Sequence, residues 1–313
     1  MNANIAKNNI SRMSLVKNKF EKLKSRSTVL LFLLPAIVLF SIFLIYPIFR
    51  SVYYSLFDWK GFGPAVDFVG LGNFIRILTD EVFLKALVNG LIIVVFSLII
   101  QLPLALMLAL MVGRKLRGRG FFRTVFFMPY ILSEVITAIM WILIFNADPK
   151  RGFLNAIITL IPGVKAQSWL GNTSLVLPAI LVVLTWKYFG FHMLLYMAGL
   201  QNIPVETEEA AVIDGANRYQ TITHVTIPLL AGTIRTSAYL SVLGSLQVFA
   251  LVWIMTKGGP VNASELMSTY MYRFSFIRFE LGYGSAVAIV MLLISLTISL
   301  LYRRFLVQPD YLG

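Results

Sequence analysis

Long apolar runs separated by short polar connections set the pattern of this chain. The runs lie near residues 28–49, 86–112, 121–145, 174–200, 229–256 and 283–302. Crossing a bilayer takes about 20 predominantly apolar residues in a helix. The pattern therefore predicts an all-α, polytopic membrane protein with six transmembrane helices in one domain, residues 28–306, followed by a short tail, 307–313. The connections 58–82, 146–172 and 257–282 are rich in Gly and Pro, with Gly258-Gly259-Pro260 opening the last, and read as loops. The first run follows a basic segment, 1–27, as it would in a signal peptide. It is longer than an h-region of about 7–15 residues and no small-x-small cleavage site follows it, so it is expected to be a retained first span.

Composition supports this reading and orients it. The chain is 58% hydrophobic and only 13% charged, against about 25% charged in ordinary globular domains. Its net charge of +13 would suit nucleic acid, but the basic residues sit beside the apolar runs. Seven Lys/Arg and one acid fall in residues 1–27; Arg114, Lys115, Arg117, Arg119 and Arg123 crowd 113–123; Arg303 and Arg304 close the last run. Loop 51–85 carries three basic and four acidic residues. By the positive-inside rule this predicts both termini in the cytoplasm. The basic patches also suit anionic lipid. There is no cysteine, and His192 and His224 are the two histidines, which excludes thiolate chemistry and a metal site built on several imidazoles.

One segment on the cytoplasmic side departs from the basic pattern. Residues 201–228 hold Glu206, Glu208, Glu209 and Asp214 against a single Arg218. Pro204 can open a helix, because its missing N–H would be unpaired in the first turn, and the glutamates then meet the positive end of the helix dipole. Ala210 and Ala211 keep one face slim, Gly215 permits a sharp break, and Tyr219, Ile222 and Val225 repeat at three-residue spacing. Two readings remain: a docking surface for a soluble partner, or an amphipathic linker on the membrane. Membrane-surface helices are usually rich in Lys/Arg, and this one is acidic.

The run Glu209-Ala210-Ala211-x3-Gly215, followed after nine residues by Val225-x-Ile227-Pro228, resembles the EAA loop of ABC-importer permeases. Val225 and Ile227 replace the family's Ile and Leu. Ala198 to Pro204, Phe121-Phe122-Arg123 through Pro129, Trp186 to Phe191, and Thr256-Lys257-Gly258-Gly259-Pro260 are similar to the carbohydrate-uptake branch, of the maltose and glycerol-phosphate type. The resemblance covers about residues 30–306. It implies a type I importer permease architecture and coupling helices in 201–228 that dock on a cytoplasmic ATPase. Glu206, Glu208, Glu209, Ala210, Ala211, Asp214 and Gly215 are then the docking residues. It also implies a second homologous permease subunit in a heterodimer, two ATPase subunits, an extracytoplasmic solute-binding protein and a sugar cargo in a bacterial or archaeal inner membrane. No G-x-x-x-x-G-K-[ST] phosphate loop occurs in the sequence, so ATP and Mg are expected on the partner ATPase, with no cofactor, no metal and no catalytic residue in this chain.

Ionisable groups within spans mark candidate function. Glu134 lies mid-run in the third span, as a cavity-facing group or the partner of a cation, and Lys187 in the fourth is its obvious counter-ion. The stretch Trp186 to Met193 is aromatic and broken by Gly190; flat aromatic faces suit sugar rings, though ordinary helix packing explains any single one equally well. Similarity to the maltose-type permeases implies that Trp186, Phe189, Gly190 and Met193, with Ser241, Gly244 and Ser245 of the fifth span, line a sugar path, and Gln247 is a polar neighbour. A secondary carrier would need coupling-ion carboxylates in the spans, where only Glu134 qualifies. A membrane enzyme would need a cluster of His, Asp or Glu.

Overall fold

The computed structural model describes residues 28–29, 31–113 and 118–305. The basic segment 1–27, four residues of the basic connection, 114–117, and the tail from 306 lie outside them. The chain divides into two compact units, residues 1–54 and 55–313. In the first, the described residues form one long helix, α1 (Leu31–Tyr54), none of whose residues is buried within the chain.

The second unit is helical. An isolated antiparallel bridge joins Phe57 and Phe68. Then follow α2 (Gly72–Thr79), α3 (Glu81–Val112), α4 (Arg119–Ile131), α5 (Glu134–Ile144), α6 (Phe153–Ile158), α7 (Val176–Gln201), α8 (Val205–Ile213) and α9 (Arg218–Thr221). A π-helical stretch, Ile222–Thr226, and a single turn, Ile227–Leu229, lead into α10 (Ala231–Gln247), α11 (Ala250–Thr256), α12 (Met267–Tyr272) and α13 (Leu281–Phe305).

Among the described residues, four helices are long and apolar enough to cross a membrane unbroken: α1, α3, α7 and α13. The runs read as the third and fifth spans fold as bent pairs, α4–α5 by 96° and α10–α11 by 42°. The first break has a local cause. Leu132 and Ser133 adopt extended backbone (ψ 140° and 151°), and the Ser133 hydroxyl caps α5 by accepting from the Ile136 N–H at 3.2 Å. A Ser N-cap with an acidic first turn is a helix start, and hydropathy does not register it.

Three apolar clusters hold the second unit. Val176, Ile180 and Val183 of α7 meet Leu251 and Val252 of α11. Ile77 of α2, Phe83 of α3, Tyr270 of α12 and Tyr283 of α13 form the second. Ala105 and Ala109 of α3 meet Met193, Tyr196 and Leu200 of α7 in the third. Small residues let helices approach closely in a membrane, where lipid competes with side chains for apolar contact.

Candidate functional site

Residues 201–228 fold as a helix–turn–helix with its own supports. Pro204 stands at the N-cap of α8, and Glu206 and Glu208 fall in the first turn. Gly215 follows the helix at φ +91°, the left-handed conformation glycine adopts most readily. Asn217 and Gln220 then form a reciprocal capping box at α9, with bonds of 2.9 and 2.8 Å. Asn-x-x-Gln is the spacing that a capping box requires, a local signal present in the sequence beside the apolar stripe of Tyr219, Ile222 and Val225. A bond of 3.0 Å from the Thr226 hydroxyl to Glu208 Oε1 ties the end of the π stretch back to α8.

That strut divides the acidic residues. Glu208 is half-buried and engaged inside the loop, whereas Glu206, Glu209 and Asp214 are exposed beside Ala210; Ala211 is half-buried. Apolar side chains join the exposed set: Ile213 is 85% and Tyr219 74% exposed, and α8 buries no residue at all. Acidic, small and large apolar groups thus share one face that nothing among the described residues covers. Ile213, which the sequence reading passed over, is its most prominent knob.

Within the spans, the α4–α5 elbow is held by two consecutive residues of α7. The Lys187 ammonium donates to the Leu132 carbonyl at 2.6 Å, and the Tyr188 hydroxyl donates to Glu134 Oε1 at 2.8 Å. The helix break frees backbone carbonyls, and a cation beside the last turn of α4 with a carboxylate in the first turn of α5 matches both dipole ends. The expected Lys187–Glu134 ion pair is therefore replaced by two separate bonds; among the described residues no direct ion pair joins them. Gly190 lets α4 approach closely, since a Cβ there would run into the Phe126 carbonyl.

The other path residues separate by face. Met193 is fully buried, and Phe189 packs beside it in the third cluster. Ser241 is bonded to the Ser97 hydroxyl, Ser237 to His192 Nδ1 at 2.8 Å, and Ser245 is buried on the same face of α10. Ser237 and Ser241 join helices to one another. Gly244 and Gln247 lie on the exposed face of α10. Trp186 lines a cleft of about 450 Å³ with Trp141, Trp169, Phe145 and Phe153, its ring edge-to-face with Trp141 at 5.6 Å. The cleft offers flat indole faces and no charged group. The aromatic stretch from Trp186 to Met193 and the family resemblance bring Trp186 forward but not Trp141, because contact between spans has no signature along the chain.

A family model described as the binding-protein-dependent transport system inner membrane component matches residues 101–306. The chain is 37% identical over 279 residues to the probable ABC transporter permease protein YurN of Bacillus subtilis (strain 168), covering 88% of this chain and 94% of the relative. It is 36% identical to the lactose transport system permease protein LacF of Rhizobium radiobacter, covering 87% and 91%. Among solved structures, a bacterial ABC transporter involved in import of the acidic polysaccharide alginate superposes with a TM-score of 0.77 at 26% identity, covering 92% of this chain and 99% of that one. A bacterial alginate ABC transporter in complex with an alginate pentasaccharide-bound periplasmic protein gives 0.79 at 25% identity, covering 91% and 95%. A family model over most of the chain, relatives above 30% identity and four to six apolar helices together establish that the chain belongs to the binding-protein-dependent transport system inner membrane component family, as a multi-pass ABC transporter permease.

Proposed function

We propose that this permease forms half of the translocation pathway of a carbohydrate importer, with six spans, both termini in the cytoplasm and the bent pairs each counting as one span. The cargo is a di- or oligosaccharide. Relatives named for lactose, diacetylchitobiose and trehalose/maltose support that class. A binding protein delivers cargo outside, a second homologous permease completes the pathway, and two cytoplasmic ATPase subunits hydrolyse ATP. The uncharged aromatic cleft beside Trp186 suits the apolar faces of sugar rings, and the hydroxyl rims then need polar groups from elsewhere, the paired permease above all.

The observation that carries the reading is the prefolded, uncovered face of residues 201–228. Glu208 braces the loop internally while Glu209 stands free beside Ala210. In the proposed cycle the ATPase subunits close on ATP and draw these helices together, which biases the spans between inward- and outward-facing states. They can do so only through contacts that differ between the two states.

Exchanging Glu209→Arg in the assembled transporter is expected to abolish sugar uptake while membrane insertion and assembly of the chain persist. Uptake at the unaltered rate would overturn the docking role. A bulky replacement at Gly215 is expected to uncouple ATP hydrolysis from uptake in the same way.

A further inference from the structure

The short helix α2 has three faces, and one of them has no partner among the described residues of its unit. Each helical residue advances about 100°, so Asn73 and Ile77 share one side, Leu71, Ile75 and Leu78 fall within about 60° on a second, and Gly72, Arg76 and Thr79 lie on a third. The first side packs inward. Ile77 is 0% exposed, and the Asn73 amide donates to the Ser55 and Phe57 carbonyls at 2.9 and 3.0 Å. The second side is apolar and open, with Leu71 66%, Ile75 62% and Leu78 67% exposed. The third is polar and open.

The depth of this helix is fixed by two spans. Asp80 alone separates α2 from α3, and its carboxylate caps α3 by accepting from the Val82 and Phe83 N–H groups at 2.8 and 3.0 Å. Arg76 pairs with Glu280 at 2.6 Å, immediately before α13, and its guanidinium lies 4.0 Å from the Tyr283 ring centroid. α2 is thus pinned to the ends of α3 and α13 that lie, by alternation of the spans, opposite residues 201–228. The apolar exposure continues into the span itself, through Leu84 (42%) and Val88 (53%) of α3.

We propose that α2 is an interfacial helix whose Leu71–Ile75–Leu78 face rests in the acyl chains of the bilayer leaflet opposite the 201–228 loop. A helix with one apolar and one polar open side lies in the plane of the interface, its apolar side a few ångströms below the headgroups. Continuity with the exposed apolar side of α3, a helix long and apolar enough to cross a membrane, favours lipid over a soluble protein, which would require this patch to stand clear of the membrane. The device sets the height of the ends of α3 and α13 against the bilayer.

Because the chain has no cysteine, Leu71→Cys, Ile75→Cys, Leu78→Cys and Thr79→Cys each introduce a single site for a bimane label. The full chain is purified with its co-assembling subunits and placed in phosphatidylethanolamine–phosphatidylglycerol vesicles. Labels at 71, 75 and 78 are expected to lose most of their emission to shallow doxyl-labelled phosphatidylcholine and little to aqueous iodide, with the reverse at 79. Iodide quenching at 71, 75 and 78 would overturn the proposal in favour of a water-facing or soluble-partner surface. Protection from both quenchers would overturn it in favour of a membrane subunit. The three sites are independent, so a variant that fails to insert leaves two that decide.

Discussion

Residues 201–228 and 257–280 each link two apolar elements, and their polar groups go to opposite uses. In the second connection residues 263–270 are all buried. Glu265, fully enclosed, takes Arg273 at 2.6 Å on one carboxylate oxygen and the Thr269 hydroxyl at 2.9 Å on the other. Burial pushes its carboxyl upward against the pull of Arg273 and Thr269. Asn89 of α3 holds the backbone with bonds of 3.1 and 3.0 Å to the Ala263 and Glu265 carbonyls. In the first connection, α8 buries no residue, and Glu206, Glu209 and Asp214 face outward. A connection that satisfies its own groups stabilises the chain, whereas one that leaves acids and a large apolar knob uncovered is shaped for something else.

The sharpest way to break this contrast is Glu265→Ala. Removing one member of a buried pair costs about 3–5 kcal/mol, and the lower end is expected here because Arg273 is partly exposed and keeps the Lys257 carbonyl and Asn262. Thermal unfolding in detergent is expected to show a large downward shift, and an unchanged midpoint would show that Arg273 does not depend on the carboxylate. Next come two glycines with similar backbone, Gly258 at φ +80° and Gly215 at φ +91°. A left-handed conformation costs a non-glycine residue roughly 1–2 kcal/mol. At Gly215 open space surrounds the position, while a Cβ on Gly258 would collide with the Glu265 carboxylate. Gly258→Ala is therefore expected to destabilise clearly more than Gly215→Ala in the same melt; equal shifts would mean that the Glu265 side chain yields freely.

Smaller again is Thr226→Val, which removes the strut to Glu208. The net loss is about 0.5–1.5 kcal/mol, read as faster hydrogen exchange across α8 and α9, and unaltered exchange would deny the strut its role. The smallest effect on stability is expected at Glu209→Arg, within about 0.5 kcal/mol for an exposed site free of special features. That substitution is also expected to have the largest effect on uptake. A large drop in its melting temperature would erase the distinction between the two connections.

Much of this was legible along the chain, and the parts that were not share a cause. Pro204, Gly215 and the acidic turn marked the helix–turn–helix correctly, because capping and breaking are local. The elbow at Leu132–Ser133 escapes a hydropathy reading although Ser133 and Glu134 form a helix start, since two polar residues do not end a run that is apolar on both sides of them. Ser241 and Ser245 were grouped with Gly244 and Gln247, yet the serines face Ser97 and the core while the other two face outward. α10 carries polar residues on several sides, so its sequence does not say which side meets a neighbour.

By itself the sequence determined that the chain is helical and membrane-embedded, where its apolar runs lie, and that residues 201–228 are an acidic surface of unusual composition. Hydropathy, charge asymmetry and caps act within a few residues, and such terms survive reading in one dimension. Only the tertiary structure decided that Lys187 and Tyr188 brace the two halves of a bent element separately, that Glu208 supports the loop while Glu209 stands free, and that α2 keeps an apolar side uncovered. Each of these depends on which helices lie side by side, and that is fixed by packing among residues far apart in the chain.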